Sequence, residues 1–196
     1  MKGKGLLIVI GILVVLLMWG CGGYNGLVQK DVDVKKAWSD VQVQYQRRAD
    51  LFGNLLSTVE AAATNEKDIL TAVTNARAGI TDAKQQIAGA TTPAQLDAAS
   101  QRIQSSAMSI RIAVEAYPTI RSTEGYMKLQ DEITGTENRI ATSRSDYNTT
   151  VASYNKSART FPTNILAGMF GMGAKEEFAA AAGSDKAPEL KFNQNK

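Results

Sequence analysis

The sequence predicts an all-α protein, in which an N-terminal transmembrane helix leads into an antiparallel four-helix bundle with long first and last helices. Three observations carry this. The stretch from Gly5 to Trp19 is apolar, and no charged residue occurs between Lys4 and Lys30. Beyond it, large apolar residues recur every seven positions in four separate runs. Composition there favours Ala, Gln, Lys, Arg, Glu and Leu, and no proline occurs before Pro93.

As a helix, the uncharged stretch would measure roughly 37 Å at ~1.5 Å per residue, against a hydrocarbon core of ~30 Å. Lys2 and Lys4 precede it, so the positive-inside bias places the N-terminus in the cytoplasm and the bulk of the chain on the exported side, periplasmic or extracellular. A signal peptide has the same layout. Residues 1–23 therefore read as a retained membrane anchor or as a lipoprotein signal ending at Cys21, the chain's only cysteine and then its lipidation site.

Residues 24–161 read as the bundle. In the first helix Leu27, Val34, Val41 and Leu55 share one seven-residue series, and Trp38, Tyr45, Phe52 and Val59 share a second; Gly22 and Gly23 precede them as a weak hinge. Asn65, followed by Glu66 and Asp68, reads as the cap of a second helix. Its rows are Val73, Ile80 and Ile87, then Ile69, Ala76 and Ala83, up to Gly89. Thr92-Pro93-Ala94-Gln95 is a capping-box pattern opening a third helix, with Leu96, Ile103, Ile110 and Tyr117 in series before Pro118. Tyr126, Ile133, Ile140, Tyr147, Tyr154 and Phe161 mark the fourth, which ends at Pro162. Short connections force neighbouring helices to run in opposite directions. The outer helices come out near ~54 Å and the middle two near ~36 Å, so the long pair must project beyond the short pair or bend.

Composition excludes several function classes. Net charge is only +3, from 22 Lys and Arg against 19 Asp and Glu, and it is dispersed, which argues against nucleic acid. With no histidine and one cysteine, a Ser-His-Asp triad, a Cys-His dyad and a nitrogen- or sulfur-ligated zinc site are all excluded. Neither a metal nor a cofactor is expected, and no catalytic residue is assigned. The glycines of 168–173 lack the lysine and the strand-to-helix setting of a phosphate loop.

One core position breaks the pattern: Arg48 falls midway between Val41 and Leu55. Lining 27–62 antiparallel against 124–159 brings Glu137 and Asn138 opposite it. The cluster Arg48, Glu137 and Asn138 is read as a structural ion pair that sets helix register, with a ligand pocket as the other reading. Glu132 and Glu137 are candidate paired carboxylates, yet nothing nearby supplies a nucleophile. Residues 162–182 form an apolar segment containing Gly, Met and Phe. Because the last helix returns to the side where the first began, Ile165, Leu166, Met169 and Phe170 should lie at the bilayer surface or pack on the bundle's base. Residues 183–196 read as a flexible polar tail.

Several groups of residues, in this order, resemble the LemA family. They are Tyr24-Asn25, Ala37-Trp38-Ser39-Asp40, Gln46-Arg47-Arg48-Ala49-Asp50-Leu51 with Asn54-Leu55, Glu115-Ala116-Tyr117-Pro118, Thr136-Glu137-Asn138-Arg139-Ile140, Tyr147-Asn148, Tyr154-Asn155 and Phe161-Pro162-Thr163-Asn164. Gly53 stands where that family usually has proline. The resemblance implies a helical bundle on an N-terminal anchor in a bacterial envelope, and it carries no agreed catalytic residues. The expected function is a non-enzymatic scaffold or interaction module whose partners are membrane lipid, other membrane proteins or further copies of itself. The alternatives are a membrane-surface remodelling module and an enzyme or ligand-binding protein that uses Arg48 and Glu137.

Overall fold

A computed structural model describes residues 2–63 and 66–179. The helices are α1 (Lys2–Ala62), α2 (Lys67–Gly89), α3 (Pro93–Glu115), the short α4 (Pro118–Arg121), α5 (Glu124–Arg159) and the short α6 (Thr163–Met169). The chain is an all-α bundle running up, down, up and down through α1, α2, α3 and α5. Most side chains of the 5–19 run, and the whole of 183–196, lie outside the described residues. Among the described residues, no helix is long and apolar enough to cross a membrane.

The seven-residue rows turn inward as their spacing requires. Leu27, Val34, Val41 and Leu55 join Tyr45, Phe52 and Val59 in the core, and Ile69, Val73, Ile80, Ile87, Leu96, Ile103 and Ile110 close it from α2 and α3. Tyr126, Ile133, Ile140, Tyr147 and Tyr154 complete it from α5. The capping box opening α3 is formed, with the Thr92 hydroxyl accepting from Gln95 N and the Gln95 side chain accepting from Thr92 N. Thr123 caps α5 in the same manner by accepting from Tyr126 N.

Three details differ from the sequence reading. Gly22 and Gly23 do not interrupt α1, since a glycine costs a helix about 1 kcal/mol without breaking it. At Gly23 the missing Cβ has a use: one placed there would lie 3.2 Å from Leu166 Cδ1, so the glycine lets α6 approach α1 closely. The N-cap of α2 is Glu66 and makes no side-chain cap bond, while Asn65 is outside the described residues. Phe161 falls beyond the end of α5 and is 75% exposed, so the last position of its series belongs to the surface.

The α2–α3 hairpin is shorter than the α1–α5 pair and covers only its distal part. Its turn is pinned by Gln42, whose Nε2 donates to Ile87 O and Ala90 O at 3.1 Å each. Closer to the N-terminus, α1 and α5 continue without the hairpin. There they are covered by α6 and by an extended strap, residues 172–179, that runs back along the groove between them. The sequence reading treated 162–182 as one membrane-proximal segment. In the structure α6 stays at the base, whereas the strap climbs away from it, because Phe178 is apolar enough to be drawn into the aromatic groove.

Candidate functional site

Arg48 sits on the inward row of α1 and is 7% exposed. Its Nη2 lies 2.7 Å from Glu137 Oε1 on α5, and its Nη1 donates to Ser100 Oγ on α3 at 2.8 Å. The guanidinium also rests 5.9 Å from the centre of the Phe52 ring. One cation thus ties three helices together in one register. Its Nε is buried without a partner, and the Glu137 side chain is 47% exposed. Asn138, expected as a further partner, is instead exposed: only one of the adjacent positions 137 and 138 can face the seam, because successive helical residues point about 100° apart. Ser100 supplies the third contact.

A second polar group lies one turn nearer the base. Arg144 Nη1 is 2.9 Å from Asp97 Oδ1 and donates to Tyr45 Oη at 3.3 Å, again joining α5, α3 and α1. Burial pushes the Tyr45 hydroxyl pKa up, the Arg144 charge opposing it and the Asp97 charge assisting. On its other side Arg144 covers the Phe178 ring at 4.5 Å.

The strap begins where that group ends. Phe178 is buried, stacked on Trp38 with ring centres 6.0 Å apart and edge-on to Tyr147 at 5.4 Å. Asn148 Nδ2 donates to Phe178 O at 3.0 Å and its Oδ1 accepts from Phe178 N at 2.9 Å. Asn155 does the same to Lys175, at 2.9 and 2.8 Å. Lys175 Nζ reaches Asp31 Oδ1 at 2.7 Å, and Lys35 pairs with the other oxygen of Asp31 at 2.8 Å. Burial raises the Asp31 carboxyl pKa, but the hydrogen bonds and charges of Lys175 and Lys35 outweigh it and hold the group below its ordinary range. Beside the strap is an open cleft of about 330 Å³, bordered by Val34, Trp38, Thr92, Pro93, Tyr147 and Lys175.

At the base, α6 packs on the first turns of α1 beyond the apolar run. Leu166 meets Gly23, and the Phe170 ring lies 4.6 Å from that of Tyr24. Ile165 is 53% exposed, Met169 73% and Phe170 55%, whereas Leu166 is half-buried. Cys21 is exposed, one helical turn before Tyr24. Of the residues singled out from sequence, Arg48 and Glu137 meet. Ile165, Met169 and Phe170 share the base, while Asn138 joins neither group.

Sequence reasoning missed the strap and its clamps. The available signal was the pair Tyr147-Asn148 and Tyr154-Asn155, in which an asparagine follows a core tyrosine twice at seven-residue spacing. Such a position borders the core, where an amide needs a partner. As chemistry, these groups can hold helices and an extended chain in register. Arg48 and Arg144 are cations paired with carboxylates, with the Ser100 hydroxyl beside the first and the Tyr45 hydroxyl donating to Asp97 Oδ1 at 3.5 Å beside the second.

A family model described as the LemA family matches residues 37–192, and the chain belongs to that family. Two proteins of Paramagnetospirillum magneticum, Magnetosome protein MamQ 1 and Magnetosome protein MamQ 2, are each 28% identical over 184 residues, covering 83% of this chain and 66% of the relative. Magnetosome protein MamQ of Magnetospirillum gryphiswaldense is 28% identical over 175 residues, covering 79% of this chain and 64% of the relative. The chain spans just under two thirds of the length of these relatives.

Proposed function

We propose that this LemA-family protein is a non-enzymatic scaffold of the bacterial envelope, held to a membrane by the apolar run at the start of α1 and presenting its bundle on the exported side. The observation that carries this reading is the base. Ile165 and Met169 of α6 and its C-cap Phe170 are exposed, as is Phe161 just before the helix, and this end meets α1 at Gly23 and Tyr24, where the apolar run has just ended. A patch of that kind in water marks a contact with lipid or protein. Each large side chain placed in the interface and fully removed from water would favour association by about 1.5–3 kcal/mol. The magnetosome names describe the relatives and specify no reaction, so they bring no substrate to this chain.

The bundle then stands off the bilayer. From Gly23 to Ala62, α1 rises roughly 60 Å at ~1.5 Å per residue, which sets its tip far from lipid for contact with other membrane proteins. The test uses the full chain with Cys21→Ser and one new cysteine carrying an environment-sensitive dye. In reconstituted bilayers, Met169→Cys should report lipid and Lys67→Cys at the tip should report water. Water at Met169 would remove the support for anchoring at this end. Protease added to spheroplasts should digest the bundle, and protection of the bundle while an exported control is cut would invert the topology.

A second reading, a membrane-surface remodelling module, draws on the same exposed base. It requires vesicles to change shape when the full chain is added and to stay unchanged with Phe170→Ser and Met169→Ser. Anchoring without any change of shape favours the scaffold.

A further inference from the structure

The strap is attached in an unusual way. Among the described residues, its backbone from Gly173 to Ala179 makes no hydrogen bond to other backbone; the N–H and C=O of Lys175 and Phe178 and the carbonyls of Glu176 and Ala179 are met by α5 side chains, Asn155, Asn148, Tyr147 and Arg144. Each asparagine clamp is two-point, donating to the carbonyl and accepting from the N–H of a single residue, as a neighbouring strand does. The spacings agree. Asn148 and Asn155 are two helical turns apart, about 10.5 Å, and Lys175 and Phe178 are three residues apart, about 9 Å at the ~3.1 Å rise of a polyproline-type chain, whose three-residue repeat turns both toward α5. Backbone capture is therefore indifferent to sequence, and selectivity comes from two side chains: Lys175 between Asp31 and the Tyr154 ring, and Phe178 between Trp38, Tyr147 and Arg144. Glu176, Glu177 and Ala179 face solvent.

We infer that the groove between α1 and α5 is a receptor for an extended peptide with lysine and phenylalanine three residues apart, and that its exchange partner is the 172–179 strap of a second copy. The link between base and strap runs through Gly171, at φ 67, and Gly173, so the strap can leave without disturbing a helix. A second copy's strap has the same complementarity by identity, and exchange of an identical element is a low-cost route to association. The proposal rests on the scaffold reading, for which it names a partner.

The test is complementation between two differently tagged full-length forms, co-expressed and purified in detergent. One carries Lys175→Ala with Phe178→Ala, removing both side chains that hold its own strap in the groove; the other carries Asn148→Ala with Asn155→Ala, leaving its strap without a groove. The mixed complex should be recovered about tenfold above either variant with itself, a preference of about 1.4 kcal/mol. Equal recovery of mixed and like pairs overturns strap exchange. A labelled peptide of sequence 172–179 supplies the second measurement, on variants whose helical circular dichroism matches the parent. It should bind the form carrying Lys175→Ala and Phe178→Ala, and lose that binding when Asn148→Ala and Asn155→Ala are added. Absence of binding, or binding that survives those changes, overturns the groove as a receptor. Both measurements are made without a bilayer, so their failure is distinct from failure of anchoring.

Discussion

The distal and proximal parts of the bundle bury the same seam of α1 in different ways. Distally, the second half of α1 is covered by α2 and α3, whose backbones satisfy their own hydrogen bonds and which reach α5 through the Asp97–Arg144 pair. Proximally, the covering element is an extended strap that satisfies few of its own. There the packing turns aromatic, with Trp38, Tyr147 and Phe178, and amide side chains stand in for a missing strand. An eight-residue strap buries less surface than a helical hairpin, so it should be the first part of the molecule to open.

The sharpest way to break this comparison is to truncate one large core residue in each part. Ile103→Ala lies in the distal core at 0% exposure and should lower global stability by about 2–5 kcal/mol in denaturant unfolding. Phe178→Ala should cost less, because the loss cannot exceed the free energy of docking the strap. Amide exchange should show Phe178→Ala releasing residues 173–179 while α2 and α3 keep their protection. Equal global losses would mean that the strap folds as one unit with the bundle.

Next in size is the Arg48–Glu137 pair. Removing one partner from a fully buried pair costs roughly 3–5 kcal/mol. Glu137 is half-exposed, so water can solvate what remains on its side, and the coupling in a double-mutant cycle of Arg48→Met and Glu137→Gln should fall to about 1–3 kcal/mol. Additive effects in that cycle would show that Ser100 alone holds the guanidinium.

The smallest effect is the pH response of the strap. The Asp31 pKa is depressed below its ordinary 3.8, so its contribution is complete above that value and is lost as pH falls through the folded-state value. Amide protection of the strap should therefore weaken below about pH 4, with Ile103 unaffected over the same step. Asp31→Asn should abolish the response. A distal core that loosens in parallel would assign the acid effect to the whole bundle.

The two parts also differ in how far they could be read in advance. The four long helices, their order and their inward faces were written in the seven-residue spacing, because a helix brings i, i+3, i+4 and i+7 to one face whatever it packs against; the short α4 and α6 were not. Arg48 was identifiable as a breach in an apolar row, and its opposite number followed from antiparallel lengths. Asn138 was misplaced because a register estimate cannot resolve which of two adjacent residues points inward. The strap was not visible at all. Residues 172–179 have no periodicity of their own, and their conformation is imposed by a groove built from Trp38, Asn148 and Asn155, twenty or more residues from the positions they hold.

By itself, then, the sequence determined an all-α bundle with long outer helices, the family to which the chain belongs and the buried cation at its centre, since each depends on local spacing or on residue order. Only the tertiary structure decided that the hairpin stops level with Gln42, that α6 closes on Gly23 and that the chain turns back at Gly171 to lie along α5. Those outcomes depend on which surfaces remain uncovered once the helices have assembled, a quantity that no single segment of the chain contains.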